Sequence, residues 1–196
     1  MEIELKRADP NKYAHLLKKA PKFVDAKPEA LMDETKNMNI YQERVCGKLL
    51  VLSKSEASKF EFAKPWACIS IGAEQGDWPK INKVQQVDLL QLAFYDTEFK
   101  RESEITFNED HANQVLDFMD KNWNKVELIM VHCLAGRSRS PGVAAAISRI
   151  KYGSDDFWFH NYLPNSLVYR TILNVAHQRG IELAPRSATA LHPELS

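Results

Sequence analysis

A chain of 196 residues, 44% hydrophobic and 27% charged, is sized for one globular domain with some decoration, not for two. Its 26 basic side chains are matched by 26 acidic ones, so no global field recruits nucleic acid or an anionic membrane, and any pull on an anion must be local. No apolar run approaches the ~20 residues that span a bilayer, and the N-terminal MEIELKRADP is too charged for a secretory signal.

The predicted elements follow in chain order. Residues 1–37 read as an extension, with Asp9-Pro10 opening a short helix over Tyr13, Leu16, Leu17 and Ala20, and a second short helix in EALMDE after Pro28. From Met38 the signals sharpen into a domain that runs to residue 184. KLLVLS (Lys48–Ser53) reads as a strand, and Ser53-x-x-Glu56 is a capping box that opens a short helix toward Phe62. WACISIG (Trp66–Gly72) is a buried strand ending at glycine, GDWPKINK a loop, and DLLQLAFYD (Asp88–Asp96) a third strand. Thr106-x-x-Glu109 predicts a capped helix with Ala112, Val115, Leu116, Met119 and Trp123 on its apolar face. VELIMVHC (Val126–Cys133) is a continuous apolar run, the mark of a strand covered on both faces. A helix starts near Ser140-Pro141 and runs through VAAAISRI; Asn165 caps a last helix that stops at Gly180. Residues 185–196 read as a flexible tail. Strands alternating with helices predict an α/β fold with a central, mainly parallel sheet flanked by helices.

Chemistry concentrates in VHCLAGRSRSP, Val131 to Pro141. Strand, tight loop and helix in that order make an anion site, because loop N–H groups turn inward and the helix presents its positive end. Cys133 closes the strand in that field, which favours thiolate over thiol. Arg139, six positions on, can curl back and offer a planar fork to two oxygens of a tetrahedral anion. Gly136 lets the backbone turn close to the ligand. Ser140 can donate its hydroxyl to the sulfur, and His132 can fix the loop. Cys46 and Cys68 read as small core residues, with a redox partnership to Cys133 as the lesser alternative. Three scattered cysteines form neither a disulfide framework nor a metal cluster, which predicts a reducing, cytoplasmic compartment.

His132-Cys133-x-x-Gly136-x-x-Arg139-Ser140 resembles the phosphate-binding signature of the cysteine-dependent protein tyrosine phosphatases. The Ala135–Ser140 wording is similar to the dual-specificity branch of compact bacterial and viral type. The likeness runs from about Met38 to Leu183, and residues 1–37 match no known pattern. It implies that Cys133 is the nucleophile, that Arg139 and the amides of Leu134, Ala135, Gly136, Arg137, Ser138 and Arg139 hold the phosphoryl oxygens, and that Ser140 eases departure of the sulfur. It further implies that Asp96 is the general acid and that Asn165 braces the loop. The expected substrate is a phosphorylated protein, turned over by a monomer without metal or cofactor.

Asp96 lies 37 residues before Cys133, on a loop leaving a strand; Glu98 is its neighbouring alternative. Asp77 in GDWP comes 56 residues before Cys133, a whole strand too early. Asp110, Asp117 and Asp120 fall on the capped helix as solvated or dipole-pairing residues. Arg137 reads either as a solvent-facing charge or as the reader of a second anionic group, since GRSRS also resembles the phosphatidylglycerophosphate phosphatases. Leu134, where those enzymes often place lysine, and the neutral net charge weigh against that lipid reading. Trp158 and Phe159 read as cleft rim or as packing. A phosphate-binding module without turnover is the alternative of a different class, and it is disfavoured because cysteine, arginine and acid are all present.

Overall fold

A computed structural model describes residues 41–99 and 104–186. The readings for residues 1–37 and for most of the C-terminal tail, together with the domain boundary at Met38, lie outside them. Among the described residues five strands form one sheet: β1 (Val45–Cys46), β2 (Leu49–Ser53), β3 (Trp66–Gly72), β4 (Gln86–Ala93) and β5 (Leu128–Cys133), in the order β1-β2-β5-β3-β4. Only β1 is antiparallel to its neighbour. This is the mainly parallel α/β sheet that the alternation of elements predicts.

The three central strands are apolar at nearly every position because both faces of the sheet are covered. β3 and β5 are buried along their whole length, and β2 is buried up to Ser53. On one face lie α2 (Glu109–Asn122), α3 (Arg139–Tyr152) and α5 (Ser166–Gln178), whose Val115, Leu116, Val143, Ile147, Val168 and Ile172 pack on Val51, Ile69 and Val131. On the other, Tyr41, Ala57, Phe60 and Phe62 cover Leu50, Leu52, Trp66, Cys68, Leu128 and Met130. Among the described residues that second layer carries the four-residue helix α1 (Lys54–Ala57) and a 3-10 turn at Gln42–Arg44, and aromatic contact closes it: the Phe60 and Trp66 rings meet edge to face with centroids 5.2 Å apart.

Helix boundaries follow their caps. Ser53 and Glu56 form the expected capping box at α1. The cap of α2 is Asn108 instead of Thr106: the Asn108 side chain accepts from His111 N–H at 3.0 Å, and the His111 ring accepts from Asn108 N–H in return. Trp123, expected on the apolar face of α2, is its C-terminal cap residue and tilts against Tyr152 with centroids 5.6 Å apart. β4 starts at Gln86 and stops at Ala93, so Phe94, Tyr95 and Asp96 already belong to the following loop. A further short helix, α4 (Asp156–Asn161), precedes α5.

Since β2, β3, β4 and β5 run parallel, their carboxyl ends share one edge of the sheet. Ser53, Gly72, Ala93 and Cys133 therefore lie along one line, and the loops that leave them converge.

Candidate active site

Cys133 is the last residue of β5 and only 2% exposed. The chain then turns through Leu134–Ser138 into α3, which begins at Arg139. Gly136 makes the turn, at φ +66°, with its Cα packed against the end of β2: a Cβ there would stand 2.8 Å from the carbonyl of Leu52. Outward-facing carbonyls tie the loop to its surroundings. Leu134 C=O accepts from Lys54 N–H, Arg137 C=O from Leu163 N–H, and Ser138 C=O from the N–H groups of Gly142 and Asn165. Within the described residues, the N–H groups of Leu134, Ala135, Gly136, Arg137 and Ser138 make no hydrogen bond. Carbonyls out and N–H groups uncommitted is the polarity an anion cradle needs. Ser140 is fully buried in the first turn of α3, and its hydroxyl lies 3.2 Å from Cys133 Sγ.

Arg139 is 4% exposed. Its Nη1 donates to Gly72 C=O at 3.0 Å and to Phe94 C=O at 2.8 Å, so the end of β3 and the first residue past β4 hold the guanidinium. Its Nε is buried without a hydrogen-bond partner, 3.9 Å from Asp96 Oδ2. A buried charged donor left unmatched costs more than the ~1–3 kcal/mol of a neutral one.

Asp96 stands on the loop after β4 and faces this arginine. Its Oδ1 accepts from Ser138 Oγ at 2.7 Å and from Asn165 Nδ2 at 2.9 Å. The competing carboxylates are engaged elsewhere. Glu98 Oε1 accepts from Ser166 N–H at the start of α5, a bond that holds its carboxyl below the usual range. Asp77 is paired with Lys54 and accepts from Ala73 N–H, and the Lys54 hydrogen bond holds its carboxyl below the usual range too. Asp117 bridges α2 to Arg179 just past α5 at 2.7 Å.

No protein-family model matches the chain, and no curated protein does either. Solved structures do match. A human tyrosine phosphatase-like serine/threonine/tyrosine-interacting protein superposes with a TM-score of 0.52 at 19% identity, over 68% of this chain and 94% of its own. A variant of human DUSP28 gives 0.51 at 19%, over 70% and 94%. A mouse protein described as a dual specificity phosphatase, complexed with zinc tungstate, gives 0.52 at 19%, over 70% and 89%. The chain has the dual-specificity phosphatase fold.

Within this fold the remaining sequence candidates separate cleanly. His132 reaches across the sheet to β3. Its ring is fully buried, with Nε2 2.7 Å from Ser70 Oγ on β3, and burial, with help from the Lys54 and Arg139 charges, pushes its pKa down to about 4. Trp158 is core, fully buried and donating to Ser148 Oγ, whereas Phe159 is 48% exposed with its ring edge-on to Tyr169. Neither other cysteine stands beside Cys133. Cys68 packs in the layer on the opposite face of the sheet. Cys46 pairs with Leu49, four residues along β2 from the Ser53 that pairs with Cys133, or about 13 Å at the rise of a strand. Burial pushes both thiols up, Cys46 to about 11. Arg137 is exposed, as are Leu134 at 64% and Leu163 at 72%, and Leu163 N–H donates to Arg137 C=O. Sequence reasoning missed Gly72 and Phe94, whose carbonyls anchor Arg139; a backbone role leaves no side-chain signal to find.

Proposed function

We propose that this chain is a phosphomonoester hydrolase of the cysteine-dependent, dual-specificity type, acting on a phosphorylated protein. The observation that carries the reading is the Arg139 guanidinium: a buried cation, pinned by two carbonyls, with an uncommitted Nε above a loop of uncommitted N–H groups that begins at Cys133. A dianionic phosphoryl group matches these donors in charge and geometry.

The chemistry then runs in two displacements. Cys133 Sγ attacks phosphorus, the bond from phosphorus to the ester oxygen breaks, and Asp96 gives its proton to the departing oxygen. Arg139 Nε and the loop N–H groups hold the three non-bridging oxygens throughout. Water next attacks the phosphocysteine as Asp96 takes its proton, and the S–P bond breaks. The Ser140 hydroxyl, already 3.2 Å from the sulfur, donates toward the thiolate that leaves. The products are the dephosphorylated alcohol and inorganic phosphate, and no metal or redox step enters.

One fold neighbour is described as phosphatase-like, so fold alone does not decide turnover; the presence of Cys133, Arg139 and Asp96 together supports it. Hydrolysis of phenyl phosphate by the wild type and by Cys133→Ser tests the reading. Expected are vanadate-sensitive turnover by the wild type and a loss of at least about 1,000-fold in the variant. Turnover surviving in Cys133→Ser would overturn the thiolate mechanism. A folded wild type that binds vanadate without turnover would establish the binding module instead.

A further inference from the structure

Asp96 Oδ1 is gripped from two sides. Ser138 Oγ lies 2.7 Å away and Asn165 Nδ2 2.9 Å. The orientation of the Asn165 amide is not free: its Oδ1 accepts from Val168 N–H at 3.0 Å as the cap of α5, so its other end must be the amide nitrogen, which can only donate. Nδ2 also reaches Thr97 C=O at 3.3 Å, and Asn165 N–H donates to Ser138 C=O. Ser138 holds the cap position of α3 yet does not cap it, because its hydroxyl is committed to Asp96. One buried asparagine thus joins the last helix, the loop after Cys133 and the acid.

We propose that Asn165 and Ser138 are positioning residues for the general acid, and that they assign the transferable proton to Asp96 Oδ2. This rests on the phosphatase reading above. With an obligate donor on Oδ1, a proton has no place there. It belongs on Oδ2, the oxygen that faces Arg139 at 3.9 Å and hence the phosphoryl site. When Oδ2 passes its proton to the ester oxygen, the charge that develops on the carboxylate is met at Oδ1 by two donors already in place. The resemblance to known phosphatases implies a brace for the loop at Asn165. Its backbone N–H provides one, and its side chain serves the acid.

The test exploits leaving-group dependence. An alkoxide-like leaving group needs the proton and a stabilised phenolate does not, so kcat/KM is measured on phenyl phosphate and on dinitrophenyl phosphate, at saturable concentrations of each. Asn165→Asp keeps an oxygen for Val168 N–H and replaces the Nδ2 donor with a carboxylate oxygen facing Asp96. For it, phenyl phosphate turnover should fall about 100-fold and dinitrophenyl phosphate turnover less than about threefold. Ser138→Ala, a smaller change, should lose about tenfold on phenyl phosphate alone and serves if Asn165→Asp does not fold. Neither substitution should cost anything further in an Asp96→Asn background, since the group they position is gone. Equal losses on both substrates, or losses that add to that of Asp96→Asn, would mean a structural brace and overturn the proposal. If Asp96→Asn itself shows no preference between the substrates, Asp96 is not the acid and the proposal falls with its premise, a pattern distinct from the first.

Discussion

At Gly136 the requirements of backbone and packing coincide. The residue sits at φ +66°, where a side chain is strained, and an added Cβ would meet Leu52 and Ser53 backbone atoms at 2.8 Å. Those atoms belong to a central strand and cannot step aside, so the loop itself must move. Gly136→Ala is therefore expected to cut kcat/KM by about 100-fold through misplaced loop N–H groups, and stability by about 2 kcal/mol. A variant within threefold of wild type would show that the loop adapts. The residues of this loop were legible in sequence because they are contiguous: the spacing Cys133, Gly136, Arg139, Ser140 carries its own chemistry. The grip on Asp96 was not legible, since it joins positions 42 and 69 residues apart. No local pattern encodes such a contact. Asn165 shows why: in the sequence it reads as a cap and, by resemblance, as a brace for the loop, and only the fold reveals that the same amide also holds Asp96.

Among the elements, the long apolar runs could be read directly, because a strand buried on both faces leaves no polar alternation. The short ones could not. β1 has two residues and exists through its pairing with Leu49 and Leu50, and the six residues of α4 are too few to display a helical period. The start of α2 shows how a boundary is lost: TFNED offers two capping candidates, and the Thr106 reading has the favoured glutamate three positions on. The chain uses Asn108, because Phe107 must enter the core against Phe94, at a centroid distance of 4.9 Å, and the helix begins after it. Asn108→Ala should therefore cost about 1 kcal/mol in urea unfolding, whereas Thr106→Ala should stay within about 0.5 kcal/mol. The reverse order would restore the earlier boundary.

For the molecule as a whole, the sheet with its two covered faces places a titratable ring where no water reaches. His132 lies on the central strand β5 and bonds Ser70 on β3 across the middle of the sheet, so its charge state is coupled to global folding rather than to local opening. Burial holds its folded pKa near 4, against about 6.5 for an unfolded chain. A depressed value means that the unfolded state binds the proton more readily. The stabilisation is complete above pH 6.5 and is lost as pH falls from there toward 4. Between pH 7.5 and pH 5 the loss should be about 2 kcal/mol. His111, lowered by burial as well, adds in the same direction, and carboxylates such as Asp88 and Glu98 that are held below their usual range contribute only at lower pH. The window is therefore a histidine window. His132→Gln should lower stability at neutral pH and yet flatten the slope from pH 7.5 to 5, leaving the His111 share. Urea unfolding at four or five pH values measures that slope for both proteins. An unchanged slope would mean that His132 takes up its proton inside the folded sheet, and that the buried Ser70 hydroxyl accommodates an imidazolium.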